Sequence, residues 1–405
     1  MNEICKQDIC TGCSACVDKC PKQCISMIAD SLGVLHPQIN NSLCVDCGAC
    51  QKVCPSLVTD DKHPVSDKVY AAWSNDNETR LTSASGGIAT ELYRYAISKR
   101  IISFGVTYEM GKGAHFIQVC NDKDILRVKN SKYVYSNSVG VYKRVKQSIT
   151  EGNQVLFIGL PCQVSALKRF VGSIEDKLLT VDIICHGVAP DTYLHQHINY
   201  IEKTTRKKTD AISFRDPEFK TYTFTFSLRN QRKVFYKKKA KSRDVYQLGY
   251  HRALIYRQNC YQCRFACPER VGDITISDFS GLGKKEFFEY DCHNVSCVIC
   301  NSPKGHELIE GLKNQCSFVK RPVEEAFKYE KQLQKPSEPH RGRGIFVSEY
   351  LKNGDFEKAA KIALRKDIFD VTIHKGEWKS IFKDVLRAMI PNRLLVARRQ
   401  RTTIE

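Results

Sequence analysis

Cys10-Thr-Gly-Cys13-Ser-Ala-Cys16-Val-Asp-Lys-Cys20-Pro21 is answered downstream by Cys44-Val-Asp-Cys47-Gly-Ala-Cys50-Gln-Lys-Val-Cys54-Pro55. Each half reads C-x2-C-x2-C-x3-C-P, the ligand run of a bacterial-type ferredoxin module carrying two 4Fe–4S clusters. Three closely spaced thiolates wrap one cubane, and the fourth ligand crosses over from the other run. The expected sets are therefore Cys10, Cys13, Cys16 and Cys54 for one cluster, and Cys44, Cys47, Cys50 and Cys20 for the other. Pro21 and Pro55 lack an N–H and fix φ, turning the chain just past each crossing ligand. Zinc takes four ligands in paired C-x2-C spacings, not eight in two matched runs. A disulfide scaffold needs an oxidising compartment, whereas the opening Met1-Asn-Glu-Ile-Cys5 reads as no secretory leader.

The wider composition agrees. With 405 residues there is room for two or three domains, and 42% hydrophobic content is ordinary for a soluble chain. No stretch reaches the roughly eighteen apolar residues of a membrane span. Twenty cysteines without a leader point to a reducing cytoplasm. The net charge of +19 gathers at Lys203–Lys208, at Lys237–Arg243, and near Arg398, Arg399 and Arg401. That excess suits an acidic redox partner, such as a ferredoxin or an oxidoreductase subunit. There is no nucleic-acid reading module and no basic-aromatic groove pattern, so nucleic acid is not an expected partner. Phe382, Val385, Leu386, Met389 and Ile390 form an apolar helical face beside Lys383 and Arg387, which allows peripheral membrane contact.

Taken in order, residues 1–59 form the ferredoxin module. Cys5 and Cys24 fall outside its ligand pattern and read as small buried hydrophobes beside the clusters. Asp60–Asp67, polar and with Pro64, reads as a linker. A second region, 69–148, opens on the strand-like Val69–Trp73. Ser83-Ala-Ser85-Gly86-Gly87 then leads into a helical pattern over Ile88–Lys99. Such a turn is either an anion site at a helix N-terminus or an ordinary turn with a serine cap. Ile101–Tyr108, Ala114–Cys120 and Asp124–Val128 read as strands.

In the third region, 149–324, an apolar strand at Gln154–Gly159 ends near Cys162, and another at Leu178–Ile184 ends at Cys185. Strand ends are where α/β sheets place their sites, although each cysteine alone is more often merely buried. His195 and His197 stand two apart on a helix, so they face different ways and read as surface. Ile212 to Tyr236 is strand-like. Cys260-Tyr-Gln-Cys263-Arg-Phe-Ala-Cys267-Pro268 offers half a cluster site, half a zinc site or a redox thiol pair. A third cluster there needs two more thiolates, and Cys162 and Cys185 are unassigned. Cys297 and Cys300 sit three apart on a buried strand and point to opposite faces, so they read as structural, as do Cys120, Cys292 and Cys316. Residues 325–405 read as a charged, mostly helical tail with a loop at Arg341-Gly-Arg-Gly344. No catalytic residue stands out; His186 qualifies by position alone, against a structural role.

Five stretches, in order, carry a resemblance: Ser83–Gly87, Gly159-Leu-Pro-Cys-Gln163, Ile184-Cys-His-Gly187, Cys260-x-x-Cys263 and Gly272-Asp-Ile-Thr-Ile-Ser-Asp-Phe279. Together they resemble the family of coenzyme F420 hydrogenase/dehydrogenase beta subunits over about Val69 to Glu324. The resemblance implies FAD beside a 4Fe–4S cluster. Carried over, it suggests Cys162, Cys185, Cys260 and Cys263 as third-cluster ligands, with Cys267 as alternate. Ser83, Ser85, Gly86 and Gly87 become the flavin phosphate contact. The expected architecture is α/β: an α+β ferredoxin module fused to a mixed α/β flavin and iron–sulfur domain, with a helical C-terminal tail. The expected activity is that of an iron–sulfur flavoprotein oxidoreductase, passing electrons between the clusters and an organic substrate or deazaflavin. A flavin beside clusters converts two-electron into one-electron traffic. The alternative is a relay or adaptor subunit without its own substrate, of the kind accessory to surface-polysaccharide synthesis.

Overall fold

The computed structural model describes residues 3–57 and 61–374. In the amino-terminal module, Ile25–Ala29 (β1) and Leu35–Ile39 (β2) pair antiparallel, with Ile25 opposite Ile39. The short helices Ala15–Lys19 and Ala49–Lys52 follow the two cysteine loops. The body has the strands Val69–Ser74 (β3), Ile102–Glu109 (β4), Gly113–Val119 (β5), Ser136–Asn137 (β6), Val155–Gly159 (β7), Leu178–Ile183 (β8), Ala211–Ser213 (β9), Thr225–Asn230 (β10), Lys233–Lys239 (β11), Ile274–Asp278 (β12), Ser296–Cys300 (β13) and Cys316–Arg321 (β14). Nine of these form one mixed sheet in the order β14-β3-β13-β12-β8-β7-β4-β5-β6; β9 to β11 form a separate antiparallel sheet. The large sheet with its helices is the mixed α/β architecture expected.

The centre of the large sheet is parallel: β4 with β7, β7 with β8, and β8 with β12. Every residue of β7 is buried, because both faces are covered. Leu156 and Ile158 pack with Ile88, Leu92 and Leu308 on one face. Val155 and Phe157, one step along, pack with Tyr142, Val145 and Leu167 on the other. The parallel run aims the ends of β7 and β8 the same way. Cys162 and Cys185 thus leave the sheet at one edge, close together.

Several expectations change. Asp124–Val128 is not a strand; Asp122–Val128 is a helix. The Asn121 carboxamide caps it by accepting from the Lys123 and Asp124 N–H groups, and Ile125 and Val128 bury at helical spacing. The linker is stitched to the body: Asp61 pairs with Arg264 at 2.8 Å, and the His63 N–H donates to the Arg270 carbonyl at 2.7 Å. Cys297 and Cys300 do lie on opposite faces of β13, each in a different core. Cys316 is buried, but Cys120 and Cys292 are exposed, since both sit in connections beyond strand ends where no second layer covers them.

His197 is not on the surface. Its ring is 2% exposed and lies between Asp244, 3.0 Å from Nε2, and Glu357, which contacts Nδ1. A helix-wheel reading could not see this, because both carboxylates arrive from distant elements. Glu357 belongs to the helix Phe356–Ala363, whose Phe356, Ala359 and Ala360 enter the core beside Tyr193 and Ile198. The C-terminal region through His374 is therefore packed into the body. The apolar face at Phe382–Ile390 and the arginines at 398–401 lie outside the described residues. No helix among the described residues is long and apolar enough to cross a membrane.

Burial opposes charge on His197, but Asp244 and Glu357 more than offset it and hold the imidazole up to about 9. A raised value means that the ion pairs stabilise fully below the unfolded value, near 6.5, and fade as pH climbs through about 9. His197→Ala is expected to cost about 3–5 kcal/mol at neutral pH, because it strands two carboxylates. Melting curves should show the wild-type advantage over His197→Ala shrinking from pH 7 to pH 9.5; a constant gap across that range refutes the pairing.

Candidate metal centres

Three cysteine-lined cavities lie in the amino-terminal module and at the adjoining sheet edge. The first, about 300 Å³, is bordered by Cys10, Cys13, Cys16 and Cys54, together with Cys5. The second, about 340 Å³, is bordered by Cys20, Cys44, Cys47 and Cys50, together with Cys24. Each groups three cysteines of one run with the crossing cysteine of the other. The third, about 640 Å³, brings together Cys162, Cys185, Cys260 and Cys263. Thr11, Gly12 and Cys13 border both the first and the third cavity, so a single wall separates them.

The third cavity is assembled from three chain segments. Cys162 is in the first turn of the helix Pro161–Val171, just past β7. Gln163 pins that turn: its Oε1 accepts from the Leu160 N–H, and its Nε2 donates to Ser136 and Ser138. Cys185 follows β8. Cys260 and Cys263 come from the loop ahead of β12, which is held by Arg270. The Arg270 guanidinium is 2% exposed; it pairs with Asp182 of β8 at 3.1 Å and donates to the Phe265 carbonyl at 2.9 Å. Asp182 in turn accepts from the Val271 and Gly272 N–H groups. One buried ion pair thereby folds the C-x2-C loop back against the strand that carries Cys185.

Burial pushes all four thiols up, Cys260 to about 11. Cys162, Cys185 and Cys260 are pushed further by the charge that neighbouring sulfurs would carry. The metal-free site is thus protonated, and loading it must release protons.

The donor sets fit anionic iron–sulfur clusters on a separate ground. Arg257 is 1% exposed and donates to the carbonyls of Cys10 and Leu35 at 3.1 Å and to the Asn259 side chain at 3.3 Å. All are neutral acceptors, and among the described residues no carboxylate pairs with it. An unpaired buried charge costs several kcal/mol. A cubane held by four thiolates would supply the missing negative charge. Arg257 also lies 5.4 Å from the centre of the Tyr135 ring, whose hydroxyl donates to the Gly12 carbonyl, so it stands between the first and third cavities. Gly12 has φ +69°, and a Cβ there would come 2.8 Å from Arg257. No ligand pattern in the sequence marks Arg257, which closes the apolar run Ala253-Leu-Ile-Tyr256 opposite Arg252.

The Ser83–Gly87 turn borders none of these cavities. The Ser83 hydroxyl donates to the Thr79 carbonyl at 2.6 Å, and that of Ser85 to the Val295 carbonyl at 2.9 Å. The Gly86 N–H donates to the Ser296 hydroxyl, and a Cβ on Gly86 would meet the Ala72 carbonyl at 2.2 Å. Gly87, not a serine, caps the helix Ile88–Ser98. These three donors bond within the protein, to the helix Asn77–Thr82 and to the segment around Val295 and Ser296. Cys267 is outside the third cavity, with its sulfur accepting from Lys62 Nζ at 3.0 Å. His186 borders the cavity, half exposed, with Nε2 3.9 Å from Glu330.

Family models match most of the chain. A 4Fe-4S dicluster domain covers residues 9–58. Coenzyme F420 hydrogenase/dehydrogenase, beta subunit, matches as its N-terminal part over 69–143 and its C terminus over 152–326. One subunit of the F(420)H(2) dehydrogenase of Methanosarcina mazei is 22% identical over 234 residues, 55% of this chain and 66% of that relative. The match thus spans just under two thirds of the relative's length. A chain of the F420-reducing NiFe hydrogenase complex from Methanosarcina barkeri, from a xenon-derivatized structure, aligns at 17% identity and TM-score 0.44. The alignment covers 75% of this chain and 94% of that one, a loose likeness only.

Proposed function

Since this chain belongs to the family of coenzyme F420 hydrogenase/dehydrogenase beta subunits and carries a 4Fe–4S dicluster domain, we propose that it is an electron-transfer oxidoreductase whose clusters run in series from the ferredoxin module to a third cubane on Cys162, Cys185, Cys260 and Cys263. The observation that carries this reading is the third cavity, where four cysteines from three segments meet and share a wall at Cys13 with the first cavity. The cubanes supply one-electron carriage. The chain's own part is to hold the ligands, exclude water from them and offset their charge with Arg257.

The relatives are named for coenzyme F420, and this reading therefore places an organic two-electron partner, a flavin or a deazaflavin, beside the third cluster. His186, Asn259 and Ser337 border that space. The Ser83–Gly87 turn does not border that space, and its Ser83, Ser85 and Gly86 donors bond within the protein. The net charge of +19 favours an acidic redox partner, and the thiol richness favours a reducing, cytoplasmic setting.

The test is cofactor content after anaerobic purification: iron, acid-labile sulfide and released flavin per chain. About twelve iron per chain is the expected result for three cubanes. About eight iron without flavin overturns the series reading and leaves a two-cluster relay subunit.

A further inference from the structure

We propose that Asp291, Cys292 and His293, in the connection between β12 and β13, form a zinc(II) site separate from the iron–sulfur cavities.

Cys47, Cys120 and Cys292 are exposed. Cys47 borders the second cavity, where ligation accounts for it. Cys292 has no such reason, yet other ligand types flank it on both sides. Among the described residues, the Asp291 carboxylate, the Cys292 thiol and the His293 imidazole form a group whose ligand atoms all lie within 4.8 Å of one another. Neighbouring side chains of an extended segment point apart. These three converge because the chain turns at His293 and Asn294, the latter at φ +51°.

The turn is held from outside the trio. Arg80 donates to the carbonyls of Asp291, His293 and Asn294 at 2.8, 3.0 and 3.1 Å. The buried Asn294 donates through Nδ2 to the Ser83 carbonyl at 3.1 Å and to the Thr221 hydroxyl at 2.7 Å. The Tyr222 ring lies 4.4 Å from the His293 ring, centre to centre. The ligands are therefore presented by a fixed backbone, although their side chains face solvent.

His293 Nδ1 is 2.8 Å from Asp291 Oδ1, which also accepts the His293 N–H at 2.9 Å. Nitrogen and oxygen ligands of one zinc ion, each about 2.0–2.2 Å from it, stand at nearly this separation. The ion can thus take the place of the proton between them, and the exposed Cys292 side chain rotates to complete the set. A thiolate with an imidazole selects zinc over magnesium or calcium, which prefer oxygen. Three protein ligands leave the fourth position to water. Loading releases the thiol proton and moves the imidazole proton from Nδ1 to Nε2. No oxidation state changes. Zinc is redox-inert, so its part is to fix this connection rather than to carry electrons.

The test titrates zinc chloride into the full chain with its clusters loaded anaerobically, read by calorimetry and by metal analysis. About one zinc per chain is expected, with iron unchanged. Cys292→Ser and His293→Ala should each weaken binding more than tenfold. Cys120→Ser is the contrast: that cysteine is equally exposed but belongs to no such group among the described residues, so binding should be unchanged. Circular dichroism and iron content report that each variant is folded. X-ray absorption at the zinc edge should show one sulfur among nitrogen and oxygen ligands. No zinc on the wild-type chain, equal affinity in Cys292→Ser and His293→Ala, or a shell of several sulfurs each overturns the proposal; the last would place the zinc among the cluster cysteines.

Discussion

Replacing Cys260 and Cys263 together by serine is expected to lower iron from about twelve to about eight per chain while leaving the ferredoxin-type signals intact. The selectivity follows from the geometry. Both cysteines border the third cavity and neither borders the first or second. Electron transfer between the ferredoxin module and any organic partner of the body should fall to background, because its last carrier is gone. Cys267→Ser is the internal contrast. Its sulfur accepts from Lys62 outside the cavity, so about twelve iron should remain. Unchanged iron in the double variant removes this pair from the ligand set; iron lost in Cys267→Ser would mean that the loop holds its cluster in another register.

Arg270→Met should be among the most destabilising single changes in the body. The guanidinium and its Asp182 partner are 2% and 0% exposed, and Asp182 also takes two backbone N–H groups of the cysteine loop. Breaking a buried pair by removing one partner costs about 3–5 kcal/mol, since the other charge is left unpaired. In a chain of this size that lowers the melting temperature on the order of 10 °C. Third-cluster iron should be lost alongside, because the same pair folds Cys260 and Cys263 back toward Cys185. Arg270→Met combined with Asp182→Asn should cost less than the sum of the single changes, because the stranded carboxylate is gone. Additive losses would show that the two side chains act independently, and retention of third-cluster iron in Arg270→Met would show that the loop holds without them.

These two predictions depend on different kinds of information. Cys162 and Cys185 were readable as strand ends, since Val155–Gly159 is an apolar run and Leu178–Ile183 a mostly apolar one, each followed within a few residues by a cysteine. The family resemblance then joined them to Cys260 and Cys263. Nothing local marked Asp182 as the partner of Arg270, because 88 residues separate them. The same holds for His197, whose two carboxylates come from 47 and 160 residues away. Gly86 in the Ser83–Gly87 turn has a packing role that no local pattern shows: it is small so that it can lie against the Ala72 carbonyl.

By itself, the amino-acid sequence determined what short-range spacing can determine. Two matched C-x2-C-x2-C-x3-C-P runs specify a two-cluster module, and apolar runs specify buried strands that end at or near cysteines. Both signals survive without a fold because ligand reach and side-chain alternation operate over a few residues. Only the tertiary structure decided which distant groups meet. It gathers four cysteines from three segments into one cavity and stations the buried Arg257, which no carboxylate among the described residues pairs with, between the first and third cavities. Those outcomes come from sheet order and buried charge pairing, which act through space over separations that no local pattern encodes.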